Sequence, residues 1–464
     1  MSRLLNLLHA TRELKKTQLM SRAEVLRLQD RRWRAMARYA LEVSPFYRRH
    51  LAGINVERCQ LSDLPPMTKE LLFENWDEIV PDVRLHRAEL EKYLQDPANW
   101  GKVKDGRWMV CYTTGTTAAP QLVVHDIAAV DYSHASQNLR NSVSPRTTTM
   151  PRLRLGGRRL KVVALVTSKA AATSTSLFAT RPWVGALFST YHQIDVAAPW
   201  QQVLAELQRL QPDALMGYSS VMGRLAQAQL NGELHLNMRH GGYIWGGGDA
   251  LTPGIRDQCQ RAFGITPFNM YGCGEVLSIA RQWRGMEHLC CHDDMMVLET
   301  VDEAGRPIPE GDLADHAYVT PLINKAMPLL RYRVNDRLRL GPVHEHWPFR
   351  TLTQVHGRGT TAYTFRTPEV RVFIGMNFLF TMDERRDVAS FQFRQTGPAT
   401  VECLTVSSPG ISPSFLVPDL EADLRRCLES AGCGGVQCTV RIVRELMPDP
   451  RTGKVEQNVP LPDA

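Results

Sequence analysis

Tyr112-Thr113-Thr114-Gly115-Thr116-Thr117-Ala118-Ala119-Pro120 sets four threonine hydroxyls around one glycine, between the apolar Met109-Val110 and Leu122-Val123-Val124. Glycine lets backbone approach an anion closely, and hydroxyls and amides donate hydrogen bonds to phosphate oxygens. The terminal Gly-Lys-Ser/Thr of a Walker loop is missing, and taken alone such a run is equally an ordinary connection. Further polar and glycine-bearing segments follow: Gly246-Gly247-Gly248-Asp249-Ala250-Leu251-Thr252-Pro253, then Tyr271-Gly272-Cys273-Gly274-Glu275, then Pro328-Leu329-Leu330-Arg331-Tyr332-Arg333-Val334-Asn335-Asp336. Gly357-Arg358 and Arg451-Thr452-Gly453-Lys454 complete the set. A carboxylate inside a Tyr-Gly-Cys-Gly run is poorly explained as a surface turn. Asp336 has a bland alternative in pairing with Arg333 or Arg337, Tyr271 in simple packing, and Lys454 in solvation near the C-terminus. No Gly-x-Ser-x-Gly elbow occurs, so a nucleophilic triad is not indicated.

In this order the segments resemble the adenylate-forming superfamily of acyl-CoA synthetases, non-ribosomal adenylation domains and luciferases. Within it the chain is most similar to the phenylacetate–CoA ligase branch. Ser44-Pro45-Phe46-Tyr47-Arg48 and Leu64-Pro65-Pro66-Met67-Thr68-Lys69 resemble that branch's N-terminal region. The resemblance covers nearly the whole chain, and six motifs in family order are hard to obtain by chance.

Such a resemblance implies a ligase in which a carboxylate attacks the α-phosphate of ATP, giving an acyl-adenylate and pyrophosphate, after which an acceptor displaces AMP. An anion must be brought onto a polyanion, so positive charge and oriented donors must converge on the phosphates. By the resemblance, Thr113, Thr114, Gly115, Thr116 and Thr117 hold the pyrophosphate end. Glu275 helps bind Mg²⁺, a hard cation that favours carboxylate oxygen. Tyr271, with Gly272 after it, stacks on adenine beside the backbone of Gly247, Gly248 and Asp249. Asp336 accepts from the ribose hydroxyls, Arg358 reaches the ribose–phosphate side, and Lys454 neutralises the forming pentavalent phosphate. The implied substrate is a small aromatic or other apolar carboxylic acid, with Tyr243, Trp245 and Phe268 as pocket candidates that could equally be core. The acceptor is coenzyme A, a carrier-protein phosphopantetheine arm, or an amine. A non-catalytic nucleotide-binding member of the fold is the competing reading.

The chain departs from the family pattern at four places: Ala118 for glycine, Gln121 for lysine, Asn335 for glycine before the ribose aspartate, and Gly359-Thr360-Thr361 where an acidic hinge residue is usual. The hinge change makes adenylation the firmer expectation and transfer to coenzyme A the weaker one. His344 and His346 occupy a place where some branch members carry a Cys-x-Cys pair, with Cys290, Cys291 and His292 upstream. Borderline-soft zinc accepts such ligands, but the irregular spacing favours ordinary histidines.

The elements that must position these residues are legible in outline. The first hundred residues read as mainly helical, with an amphipathic pattern running unbroken from the N-terminus through Leu26, Trp33 and Tyr39. From Met109 short apolar strands alternate with amphipathic helices, which implies an α/β core. Residues 202–210 place Val203, Leu204, Leu207 and Leu210 on one helical face, followed by a strand at 214–216. Thr252-Pro253 opens a helix that Gly264 stops. Toward the C-terminus, residues 401–406 read as a strand. Asp419 then caps a helix with Leu420, Leu424, Cys427 and Leu428 on its apolar face, and Val436, Cys438, Val440 and Ile442 alternate as a half-buried strand. The expected fold is a large α/β N-terminal domain, 1–357, of mixed sheets flanked by helices, and a small mobile α+β C-terminal domain, 358–464, carrying Lys454. Residues 145–159, with five arginines, read as an exposed loop.

Composition agrees with such a ligase. The 464 residues are 43% hydrophobic and 22% charged, which is globular. No stretch approaches the ~20 uninterrupted apolar residues of a membrane span. The net charge of +7 is spread along the chain, so nucleic acid is not the expected partner. Charges interrupt the first residues every few positions, unlike a secretory signal. An arginine-rich start also occurs in transit peptides, but the continuing amphipathic pattern favours a surface helix. Ten cysteines without a CxxC pair suit reduced thiols in the cytoplasm.

Overall fold

Ser21 and Glu24 close a capping box that starts the helix Arg22–Val43, and this separates it from the preceding helix Arg3–Thr17. The amphipathic run expected to be continuous is therefore two helices. Trp33 is buried at 3% exposure, whereas Leu26 stays 48% exposed. The computed structural model describes residues 3–113, 121–140, 159–167, 171–238, 242–283, 285–358, 362–382, 385–449 and 453–461. Two compact units emerge: Met1–Leu160, Thr167–Tyr191 and Met270–Val355 form the first, and Lys161–Val166, His192–Asn269 and His356–Ala464 the second.

The first unit stacks its N-terminal helices on antiparallel strands. Val103–Lys104, Trp108–Tyr112 and Leu122–Asp126 make one three-stranded sheet, and Met296–Val301, His316–Pro321 and Tyr332–Val334 another. Tyr271 pairs with Ala280, Cys290 with both Arg281 and Thr351, and these strands continue the antiparallel pattern. Trp33, Trp76, Trp108, Met296, Val319 and Leu352 share one apolar core.

Parallel strands and helices build the second unit. Leu215 pairs with Val163 on one side and Ile244 on the other, all fully buried. The helix Trp200–Leu210 buries Val203, Leu204, Leu207 and Leu210 as its spacing requires, and ends at Gln211 in a left-handed conformation, φ +47°. Thr252 caps Pro253–Phe263 by accepting from the Ile255 N–H, and Gly264 at φ +68° stops it. Further along, Val388–Gly397, Thr400–Ser407, Gln437–Ile442 and Asn458–Val459 form a four-stranded sheet against the helix Pro413–Ser430. That helix begins before Asp419, not at it. Pro413 suits the first turn and Pro418 is carried inside, while Asp419 pairs with Arg385 at 2.7 Å.

A buried polar network underlies the first unit. Arg140 and Asp294 form an ion pair whose side chains are wholly buried. The Arg140 Nη1 donates to His292 Nδ1 at 2.9 Å, so His292 is neutral with its proton on Nε2. Burial, helped by Arg140, holds the His292 pKa down to about 3, and burial holds His125 down to about 4. Both values lie below the unfolded value of about 6.5, so the native state prefers the neutral ring and its stability is full above that pH. Stability is lost as pH falls from about 6.5 toward the folded value, by on the order of 3 kcal/mol for His125. Urea midpoints measured from pH 7.5 down to 4.5 should decline, and less steeply in His125→Gln. Equal slopes in the two proteins would contradict a charge-free buried ring.

Candidate functional site

Tyr112 and Leu122 pair where two strands meet the threonine-rich loop. The Thr113 N–H donates to the Gln121 carbonyl at 2.8 Å, and the Thr113 hydroxyl accepts the Gln121 N–H at 3.1 Å. Those bonds close the loop's stem. Thr114, Gly115, Thr116 and Thr117 lie outside the described residues, as do Gly359, Thr360 and Thr361 and most of 145–159.

Against this stem packs the turn that follows Tyr271. A Cβ added to Gly274 would lie 2.5 Å from Thr113 Cγ2 and 2.9 Å from Thr173 Oγ1, so only glycine allows the approach. A Cβ on Gly272 would meet the Leu277 carbonyl oxygen at 2.1 Å. Leu277 itself sits at φ +68°, a left-handed conformation costing a branched side chain about 1–2 kcal/mol. The turn is tightly wound, and it ends in a buried carboxylate: Glu275 is 7% exposed, and its Oε1 accepts the Tyr332 hydroxyl at 2.6 Å.

The second carboxylate of this unit is held similarly. The Tyr271 hydroxyl donates to Asp336 Oδ2 at 2.7 Å. Burial first, and then the Asp336 charge, push the Tyr271 hydroxyl pKa well above its ordinary value, so the phenol remains a donor. Glu275, Tyr271, Gly272 and Asp336, together with the Thr113 stem, are thus brought together in the first unit. Tyr332 was visible only as part of the motif that quotes Asp336, and its bond to Glu275 joins residues 57 positions apart.

The strand motif is also stitched to the N-terminal region. Tyr47 donates its hydroxyl to the Pro328 carbonyl at 2.9 Å and accepts the Leu330 N–H at 3.2 Å. The Met67 N–H donates to the Arg331 carbonyl at 3.0 Å, and the Arg333 N–H to the Met67 carbonyl at 2.8 Å. Arg331, at φ +49° and 5% exposed, turns its guanidinium to the Ser62 carbonyl at 2.9 Å and to Glu299 at 3.2 Å. Its role is to bind the protein's own backbone.

In the second unit, the strand Tyr243–Gly247 leads into Gly248 at φ +79°. A Cβ there would come 3.1 Å from the Tyr218 ring and 3.5 Å from Lys454 Cε. Asp249 turns its carboxylate to the start of the helix Ser219–Leu230: Oδ1 accepts the Ser219 N–H at 2.6 Å, and Oδ2 accepts the Ser220 N–H at 3.3 Å. It therefore caps a helix that begins thirty residues earlier, where an anion suits the positive end of the dipole. Burial raises the Asp249 pKa, opposed by Ser220 and by Lys454. Lys454 Nζ stands 5.4 Å from the Tyr218 ring centroid, a cation–π distance. Gly247, Gly248, Asp249 and Lys454 are thereby neighbours. Arg358 ends the strand Arg350–Arg358. Tyr243 and Trp245 share a strand face with ring centroids 5.7 Å apart.

Among the described residues no group of three or more His, Cys, Asp or Glu is placed to hold a metal ion. His344 Nδ1 accepts the His346 N–H at 3.0 Å, and His292 faces Arg140. A single buried carboxylate such as Glu275 fits magnesium, which takes one or two protein carboxylates and completes its shell with substrate phosphates and water.

Comparison with solved structures defines the fold. 2-Hydroxyisobutyryl-CoA ligase in the postadenylation state, in complex with R3-HIB-AMP, matches with a TM-score of 0.68 at 16% identity, covering 96% of this chain and 91% of that one. The same ligase with 2-HIB-AMP and CoA in the thioesterification state matches with a TM-score of 0.57 at 17% identity, over 96% and 91% of the two chains. The fold is that of an adenylate-forming ligase.

The chain belongs to the AMP-binding enzyme family, whose model matches residues 55–314. Protein CapK of Staphylococcus aureus is 22% identical over 410 residues, 87% of this chain and 83% of that protein. The phenylacetate-coenzyme A ligase of Thermus thermophilus is 31% identical over 99 residues, 19% of this chain and 21% of its own. That of Pseudomonas putida is 27% identical over 159 residues, 33% and 35% of the two chains. No helix among the described residues is long and apolar enough to cross a membrane.

Proposed function

We propose that this ligase activates a small aromatic carboxylic acid as its acyl-adenylate, releasing pyrophosphate, and passes the acyl group to a thiol of coenzyme A or of a carrier protein's phosphopantetheine arm. The observation that carries the reading is the pair of tyrosine–carboxylate hydrogen bonds, Tyr332 to Glu275 and Tyr271 to Asp336, in the unit that holds the threonine-loop stem. One carboxylate is buried on the turn that packs against the Thr113 stem and the other is half-buried at the start of a strand, which suits a metal–phosphate end and a ribose end of one nucleotide.

Thr113, with Thr114, Gly115, Thr116 and Thr117, would donate to the β- and γ-phosphates. Mg²⁺, when bound through Glu275 and the phosphates, supplies charge neutralisation. Asp336 would accept from the ribose hydroxyls, with Tyr271 orienting it from one side and presenting its ring to adenine. The Gly247–Gly248–Asp249 backbone and Arg358 would line the nucleoside. Lys454, in the piece 358–464, would neutralise the phosphate as the acid's carboxylate oxygen attacks and the bond to pyrophosphate breaks. Tyr243 and Trp245 supply an aromatic surface, and the two phenylacetate-coenzyme A ligase relatives favour an aryl acid. The ten unpaired thiols suit the reducing cytoplasm, where ATP and coenzyme A are found.

Exchange of labelled pyrophosphate into ATP, measured across a panel of aryl and alkyl acids, tests this. Exchange should depend on the acid and be fastest with an aryl acid. ATP binding without exchange for any acid would instead favour a nucleotide-binding protein that kept the fold. Supplying coenzyme A, pantetheine or amines to the loaded enzyme then names the acceptor. Asp336→Ala should weaken ATP binding about tenfold, since it leaves the ribose hydroxyls unpaired. Unchanged affinity by calorimetry would remove Asp336 from the ribose.

A further inference from the structure

The Gly274–Glu275 turn is held from behind by a chain of polar contacts that the reaction outlined above does not use. His125 is 2% exposed, and its Nε2 lies 2.8 Å from the Gly274 carbonyl oxygen. A carbonyl can only accept, so the ring carries its proton on Nε2 and donates it there. That leaves Nδ1 as an acceptor, and the Asn324 Nδ2 stands 3.3 Å from it. Asn324 is in turn locked at both ends by backbone. Its Nδ2 donates to the Val124 carbonyl at 2.9 Å, and its Oδ1 accepts the Asp126 N–H at 3.0 Å. The order runs without ambiguity from the strand Leu122–Asp126 through Asn324 and His125 to the peptide preceding Glu275.

Packing alone does not hold the turn on this side. A cavity of about 30 Å³ lies against it, lined by His125, Ser133, Glu275, Ser278, Met295 and Asn324 among others. A peptide that borders a void can shift unless a directed bond stops it. The same strand leads directly out of the threonine loop, so the bond ties the carboxylate to the phosphate loop's own scaffold.

We propose that His125, oriented by Asn324, is a positioning residue: its Nε2–H holds the Gly274 carbonyl and so sets where the Glu275 carboxylate stands. This rests on the reading of Glu275 as the magnesium-binding carboxylate. The test therefore measures ATP binding by calorimetry with and without Mg²⁺, in the wild type and in Glu275→Gln, His125→Leu and His125→Gln. Glutamine places an amide nitrogen near the Nε2 position, whereas leucine places no donor there.

Mg²⁺ should tighten ATP binding in the wild type. That gain should fall about tenfold in Glu275→Gln and by a similar factor in His125→Leu, the worth of one directed buried contact. His125→Gln should retain it within about threefold, and all four proteins should bind ATP equally in EDTA. A full gain in His125→Leu beside a lost gain in Glu275→Gln would overturn the positioning role and leave the Glu275 reading standing. A full gain in Glu275→Gln would overturn both. Equal losses in the leucine and glutamine variants would show a merely structural histidine. Should His125→Leu fail to fold, His125→Asn, whose donor sits at the Nδ1 position out of reach of Gly274, takes its place with the same expected loss.

Discussion

Lys454→Ala is expected to lower carboxylate-dependent pyrophosphate exchange by about 10²–10³-fold, the range for deleting one oriented charge-stabilising donor. ATP affinity should stay within about twofold, because negative charge builds at the phosphate mainly as the carboxylate attacks. The ammonium is pre-positioned in its own unit: the Tyr218 ring face lies 5.4 Å from Nζ, and the half-buried Asp249 carboxylate is close enough to feel its charge. Asp249 is fully committed to the start of the helix Ser219–Leu230, so it attracts the lysine without being available to other ligands as a flexible anion. Comparing kcat with the ATP dissociation constant checks the role. An equal, large loss in ATP binding would show that Lys454 grips the ground state instead.

Asp294→Ala is expected to destabilise the protein by about 3–5 kcal/mol, the cost of breaking a buried ion pair from one side. The Arg140 guanidinium would remain in a fully buried position without its partner. The loss extends beyond the pair, because Thr17 donates its hydroxyl to the same carboxylate and ties the helix Arg3–Thr17 to it. Arg32 donates to the Asp294 carbonyl at 2.7 Å, which the substitution leaves intact. The urea midpoint should drop with the slope of the transition unchanged. Arg140→Met combined with Asp294→Leu should recover much of the loss, since neither variant side chain carries a charge. A cost below about 1 kcal/mol for Asp294→Ala would mean that water reaches the pair.

Local signals were the legible ones. The helix Pro253–Phe263 announces itself by threonine, proline and glycine at positions whose conformations they favour, and its ends fall where those residues stand. Val203, Leu204, Leu207 and Leu210 share a face because 3.6-residue periodicity lies within a few positions of sequence. Glu275 and Asp336 stood out as carboxylates in glycine- and arginine-marked runs, and the fold brings them into one unit. The partners that hold them did not stand out. Tyr332, His125 and Asn324 act through bonds spanning 57 to 200 residues, and no periodicity encodes a polar contact between distant segments. The side chain of Asp249 is a further case: its neighbours in sequence resemble a nucleotide motif, and nothing local announces that its carboxylate accepts from a helix formed earlier in the chain. Asp419 reads as the cap, yet the helix Pro413–Ser430 begins before it and carries Pro418 inside, because the apolar face Leu416, Leu420, Leu424 and Leu428 is buried against the sheet.

Tyr47 accepts from Leu330 and donates to Pro328, so the N-terminal helical region and the segment that leads to Asp336 are parts of one hydrogen-bonded fabric. Engineering follows from this. A hybrid enzyme that borrows its first seventy residues from another ligase would inherit a mismatched seam at Met67, Arg331 and Arg333 unless residues 328–333 travel with them. The amino-terminal region is then an exchangeable cassette only when it is moved together with its distant complement.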